Sequence, residues 1–141
     1  MLVATALWMA GAVASATADS FPDRPIKIIA PFTPGSPNDV VARLIAAPMA
    51  THLGQSVVVD NRPGGGTTVG SAQVKQSEPD GYTMLIHSNA IVTVPAIQAS
   101  VPYDPVADFS AITPLGNVPM VLVVAPSKGI KSVKELVAKA K

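Results

Sequence analysis

Two hydrophobic patterns alternate along the chain. Short apolar runs rich in β-branched residues occur at 26–30, 56–60 and 83–87, and again at 112–115 and 120–125. Such runs, bounded by Gly, Pro and Asp, predict strands. The unbroken Val57-Val58-Val59 suits a parallel strand buried on both faces. Between the runs lie stretches with apolar residues three and four apart. The first, 38–53, places Val40, Val41, Leu44, Ile45, Pro48 and Met49 on one face and stops at Gly54. A weaker helix is predicted at 67–76 and another at 91–97, with Pro48 and Pro95 as points where a helix kinks or ends. Ser132 to Glu135 is a capping box opening a last helix. Strands alternating with helices predict a largely parallel α/β sheet.

The first strand leads into Pro31-Phe32-Thr33-Pro34-Gly35-Ser36-Pro37-Asn38-Asp39. Three prolines bar continuation of strand or helix, and Gly35 permits backbone angles other residues resist. Asn38 or Asp39 can cap the helix that follows. A loop ending on a helix N-terminus suits an anion, because free N–H donors and the helix dipole converge there. In an open α/β sheet it also lies at the carboxyl ends of the strands, where ligands bind. Backbone donors around Gly35 to Asp39, with Thr33, Ser36 and Asn38 side chains, would hold a carboxylate. Asp39 would cap the helix or receive a ligand ammonium. His87, Ser88 and Asn89 end the third strand and repeat this geometry. His87 is either a donor to a carboxylate, titrating near neutral pH, or a hydrogen-bonded structural histidine.

The segment from Pro31 to Arg43 resembles the opening signature of the Bug-type, or TctC-like, solute-binding proteins, the receptors of tripartite tricarboxylate transporters. Ser36 and Pro37 depart from its Pro-Gly-Gly pattern. Three later blocks are similar to the family's as well: Leu53-Gly54-Gln55-Ser56 through Asn61-Arg62-Pro63-Gly64, Pro79-Asp80-Gly81-Tyr82-Thr83-Met84-Leu85, and Pro102-Tyr103-Asp104-Pro105 with Asp108-Phe109. The resemblance implies a two-lobed periplasmic-binding-protein fold of type II closing over a ligand. Residues 19–115 would form most of lobe one and 116–141 the start of lobe two, the chain being the N-terminal part of a longer protein. It also implies that the loops carrying Phe32, Thr33, Gly35, Ser36, Asn38 and Asp39, and His87, Ser88 and Asn89, line the ligand. The implied protein is a monomer that passes a small carboxylate to integral membrane transporter subunits. A sensor feeding a membrane receptor shares the same binding step.

Composition narrows the chemistry. A formal charge of +1 over 141 residues, with no clustered basic face, argues against nucleic acid. No cysteine is present, which removes disulfides, thiolate metal sites and cysteine nucleophiles. Two histidines offer little to a metal. No cofactor is expected. Gly64 to Gly70 reads Gly-x-Gly-x-x-x-Gly, which fails the dinucleotide fingerprint, and no Gly-Lys-Ser/Thr follows. Ser88 beside His87 in sequence does not put hydroxyl and imidazole in catalytic register, so an enzyme is the minor alternative. Residues 1–18 carry no charge and end in small-x-small patterns, which predicts a signal peptide cleaved after Ala18 and a periplasmic protein. A membrane anchor is the alternative, although a spanning helix needs about 20 apolar residues. The leader lacks a basic start, which points to a reading frame beginning upstream of Met1.

Overall fold

The computed structural model describes residues 21–140. The leader peptide expected at 1–18 lies outside them. The chain divides after Ser110, and the second unit is Ala111–Lys141.

The first unit is built on a three-stranded parallel sheet. β1 (Ile26–Ala30) is central, with β2 (Val57–Asn61) on one side and β3 (Thr83–Leu85) on the other. Ile26 pairs with Val57 and Lys27 with Thr83. The central strand is the most buried: Ile26, Ile28, Ile29 and Ala30 are each 2% exposed or less. Helix α1 (Pro37–Leu53) packs on β1 and β2, whereas α2 (Thr68–Lys75) packs on β1 and β3. Strand β1 thus sends alternate residues into two layers. Ile28 and Ala30 join Ala42, Ala46 and Ile86 in one core cluster, and Ile29 faces away from it. Helix α3 (Ala90–Ile97) follows β3. The predicted parallel α/β architecture is observed.

Several local expectations need correction. The buried face of α1 is Asp39, Ala42 and Ala46, flanked by half-buried Val41, Ile45 and Met49. Val40 and Leu44 are 47% and 69% exposed. Small alanines let the helix approach the sheet closely, so the larger residues turn outward. Pro48 does not end α1. It lies on the exposed side, where water can reach the Leu44 carbonyl that lacks its N–H partner. Pro95 likewise sits within α3. Strand β2 is an edge strand, and Val58 is 52% exposed rather than buried on both faces. Residues 112–115 and 120–125 form no strand. A strand needs a ladder partner, and among the described residues none pairs with them. Ile112, Met120 and Val123 are accordingly exposed.

Gly70, which weakens α2 by propensity, has a packing role. A β-carbon there would lie 2.8 Å from Pro31 Cβ and 3.0 Å from the Arg62 carbonyl oxygen. Neither neighbour is a flexible side chain. Gly70→Ala is therefore expected to destabilise the protein by about 1–3 kcal/mol through overpacking. A urea titration reads this as a lower midpoint at an unchanged slope.

The second unit contains a short 3₁₀ turn (Pro126–Lys128) and helix α4 (Val133–Ala140). The capping box forms with a shift. Ser132 Oγ accepts from Glu135 N–H, while the Glu135 carboxylate accepts from Lys131 N–H, one residue earlier than the usual pattern.

Candidate functional site

The carboxyl ends of β1 and β3 bring together the two loops singled out in the sequence. Phe32, just after β1, meets the His87 ring edge-on, with centroids 5.4 Å apart. Thr33 directly follows Phe32, and Ser88 directly follows His87.

The β1–α1 loop is held by Asp39. The residue is buried, with 3% of its surface exposed. One carboxylate oxygen accepts from Gly35 N–H at 2.8 Å and Arg43 Nε–H at 3.2 Å. The other accepts from Asn61 Nδ2–H at 2.9 Å and lies 3.0 Å from Arg43 Nη2. The Arg43 guanidinium, the Gly35 amide and the Asn61 amide together hold the carboxyl at about 2. Both oxygens are engaged within the protein and the residue is buried, so the carboxylate faces its own network rather than a ligand ammonium. Gly35 needs its lack of a side chain here, because its φ is +80°. Ser36, not Asn38 or Asp39, is the helix cap, and its Oγ accepts from Asp39 N–H at 3.4 Å.

These bonds decide which donors remain free. Ser36 N–H bonds the Thr33 carbonyl and Val40 N–H bonds the Ser36 carbonyl. Pro34 and Pro37 have no N–H. Among the described residues, the N–H groups of Thr33 and Asn38 have no partner. The same holds for the N–H groups of His87, Ser88 and Asn89, while Ser88 Oγ accepts from Ala90 N–H at 3.3 Å. Both loops therefore present unpaired backbone donors at the carboxyl edge of the sheet, and the first does so on a helix N-terminus.

His87 is set up differently from a simple donor. Its Nδ1–H donates to the Ser88 carbonyl at 2.9 Å. Nε2 then carries the lone pair in the neutral ring, and it is buried without a partner. Burial pushes the imidazole below its ordinary value, against a smaller upward pull from the Ser88 carbonyl. In the neutral ring Nε2 is an acceptor, and burial opposes the protonation that would turn it into a donor for an anion.

The glycine-rich turn is structural. Gly64, Gly65 and Gly66 all have positive φ, as does Thr67. A β-carbon on Gly65 would fall 2.3 Å from Thr68 Oγ1, so the turn requires glycine to close. Arg62 pairs with Asp60 at 3.0 Å. The block around Tyr103 is an anchor. Its buried hydroxyl donates to the Ile91 carbonyl at 3.2 Å, and Phe109 stacks edge-on against its ring. Asp104 and Asp108 cap the adjoining turn, and Lys75 of α2 pairs with Asp108 at 2.8 Å. Among the described residues no cluster of acidic and histidine side chains could hold a metal, and no helix is long and apolar enough to cross a membrane.

Sequence reasoning passed over Arg43 and Asn61. Each is polar, and nothing in the local pattern separates an exposed arginine or a strand-end asparagine from one that ties two elements together.

Comparison with known proteins gives this site its setting. The profile described as tripartite tricarboxylate transporter family receptor matches residues 41–141. The chain belongs to that family. Its relatives include protein BugT of Bordetella pertussis, 39% identical over 94% of this chain and 41% of BugT. Among solved structures, the periplasmic binding protein BugD is 39% identical with a TM-score of 0.61, covering 63% of this chain and 30% of BugD. R. palustris Rpa4515 with adipate is 36% identical with a TM-score of 0.73, covering 85% of this chain and 40% of that one. MatC from Rhodopseudomonas palustris with bound malate is 37% identical with a TM-score of 0.56, over 63% of this chain and 31% of MatC. The chain thus spans about 40% of the length of the relatives it matches. The Bug-type, TctC-like resemblance and the periplasmic-binding-protein fold class stand.

Proposed function

We propose that this receptor-family chain supplies the ligand-capturing lobe of a periplasmic receptor for a small carboxylate. The observation that carries the reading is the pair of loops after β1 and β3, whose N–H groups at Thr33, Asn38, Ser88 and Asn89 lack partners. Neutral donors fixed in a protein frame bind a carboxylate without a cationic side chain. The adipate in Rpa4515 and the malate in MatC support a carboxylate as the ligand class. Residues 19–115 act as lobe one and 116–141 begin lobe two. The ligand bridges the lobes and a hinge closes them. No bond is made or broken. The loaded receptor, a monomer exported by a leader cleaved after Ala18, delivers its ligand to integral membrane transporter subunits.

Isothermal titration of the full-length protein with adipate, malate and tricarboxylates tests this. Saturable binding of one of them is the expected result. Binding of a nucleotide, with no heat from any carboxylate, would sink the reading and return attention to the glycine-rich turn.

A further inference from the structure

Asn61 closes β2, and its side chain reaches across to the loop that follows β1. Nδ2 donates to the Phe32 carbonyl at 3.2 Å and to Asp39 Oδ1 at 2.9 Å. Oδ1 accepts from Arg43 Nη2 at 3.0 Å. One amide thus clamps the start of the loop and the first two turns of α1. Its orientation is fixed, because a flip would set its oxygen against the Phe32 carbonyl and the Asp39 carboxylate. Thr33, Pro34 and Gly35 are exposed, so no apolar core holds the loop in shape. What holds it is the Asp39 network, and Asn61 ties that network to the sheet.

We infer that Asn61 is a positioning residue for ligand capture. It fixes the loop so that the Thr33 and Asn38 N–H groups stay unpartnered for a ligand carboxylate, and it does not touch the ligand. This rests on the carboxylate reading above. It accounts for a polar residue at the end of an apolar strand, a place where an unpaired amide would gain nothing from partial burial.

The test uses the full-length protein, adipate and malate as probes, and the variants Asn61→Ala and Asn61→Asp. Three quantities are measured: dissociation constant, melting temperature without ligand, and hydrogen exchange of the Gly35 amide. Both variants are expected to weaken probe binding about ten- to hundredfold, the loss typical of an unsatisfied partner. Gly35 exchange is expected to speed up about tenfold or more as the Asp39 bond loosens. Asn61→Asp adds a chemical readout. Its introduced carboxyl faces Asp39, Arg43 and the Phe32 carbonyl, with Asp60 before it on β2 and Arg62 just after the strand. Lowering the pH from about 7.5 to about 5 lets that carboxyl take a proton and regain a donor. Its affinity is then expected to recover relative to the parent at the same pH, which the alanine variant cannot do. Should Asn61→Ala fail to fold, the isosteric aspartate variant carries the test. Variants that bind as the parent does, with Gly35 exchange unchanged, overturn the inference and leave the carboxylate reading intact. A parent that binds neither probe overturns the role in capture together with that reading. Gly35 exchange in the variants then decides separately whether the clamp exists.

Discussion

Exchanging Asp39 for asparagine is expected to lower affinity for a carboxylate ligand by about tenfold or more, with a lower melting temperature. Three donors hydrogen-bond the two carboxylate oxygens, Gly35 N–H, Arg43 Nε–H and Asn61 Nδ2–H, and the Arg43 guanidinium completes an ion pair with Nη2 3.0 Å from the second oxygen. Asparagine keeps one acceptor oxygen and replaces the other with an NH₂ group. Whichever way the amide turns, its NH₂ group faces donors: Gly35 N–H and Arg43 Nε–H on one side, or Asn61 Nδ2–H on the other. If the amide nitrogen lies toward Gly35, the loop loses the bond that holds its φ at +80°. If it lies toward Asn61, the tie to β2 breaks. The loss also removes the negative charge that suits the first turn of α1 and pairs with Arg43. A titration beside the parent measures the effect, and equal affinities would show that the network does not shape the loop. The acid limit follows from the same bonds. The folded-state carboxyl sits at about 2, below the ordinary carboxylate value of 3.8. Its contribution is therefore fully present above about pH 4 and is lost as pH falls toward 2. The Asp39→Asn variant is expected to lack this part of the acid transition.

Ile29→Ala is expected to produce the largest loss of stability, about 2–5 kcal/mol, by leaving a cavity in the central strand. Ile29 is 0% exposed and is flanked by backbone pairing to Asp60 on one side and Leu85 on the other. It faces away from the cluster formed by Ile28, Ala30 and α1, toward the layer of α2. Collapse into the void is limited there, since Gly70 already brings α2 into contact with Pro31. Denaturant unfolding of the full-length variant should show the loss at an unchanged slope. A change below about 1 kcal/mol would mean the layer repacks freely.

Much of this was legible in local sequence. Strand β1 and the span of α1 follow from a β-branched run, a proline-barred loop and Gly54, all of which act within a few residues. The two loops were legible because a strand end followed by a capping residue has one common geometry. The facing of α1 was not legible by counting large apolar residues. Its contact surface is Ala42 and Ala46, whose value lies in how near they let the sheet come, a property of the partner. Strands at 112–115 and 120–125 were expected from apolar runs, but pairing is a relation between segments and hydrophobicity alone does not supply it. Asn61 was missed for a related reason. Its three bonds reach residues 18 to 29 positions earlier, far outside any local window.

The placement of β1 has a consequence for how the molecule comes into being. The strand that ends up in the middle is the first to leave the ribosome, and its neighbours begin only at Val57 and Thr83. Until β2 has been made, Ile26, Ile28 and Ile29 have no ladder to join, and the face that carries Ile29 has no α2 to cover it until Thr68 and beyond have followed. Non-local parallel pairing of this kind forms slowly. The nascent chain therefore presents its most hydrophobic strand, unpaired, throughout the early part of synthesis. On the periplasmic reading proposed above, that is the interval in which an exported chain must stay unfolded and within reach of the factors that thread it through a membrane.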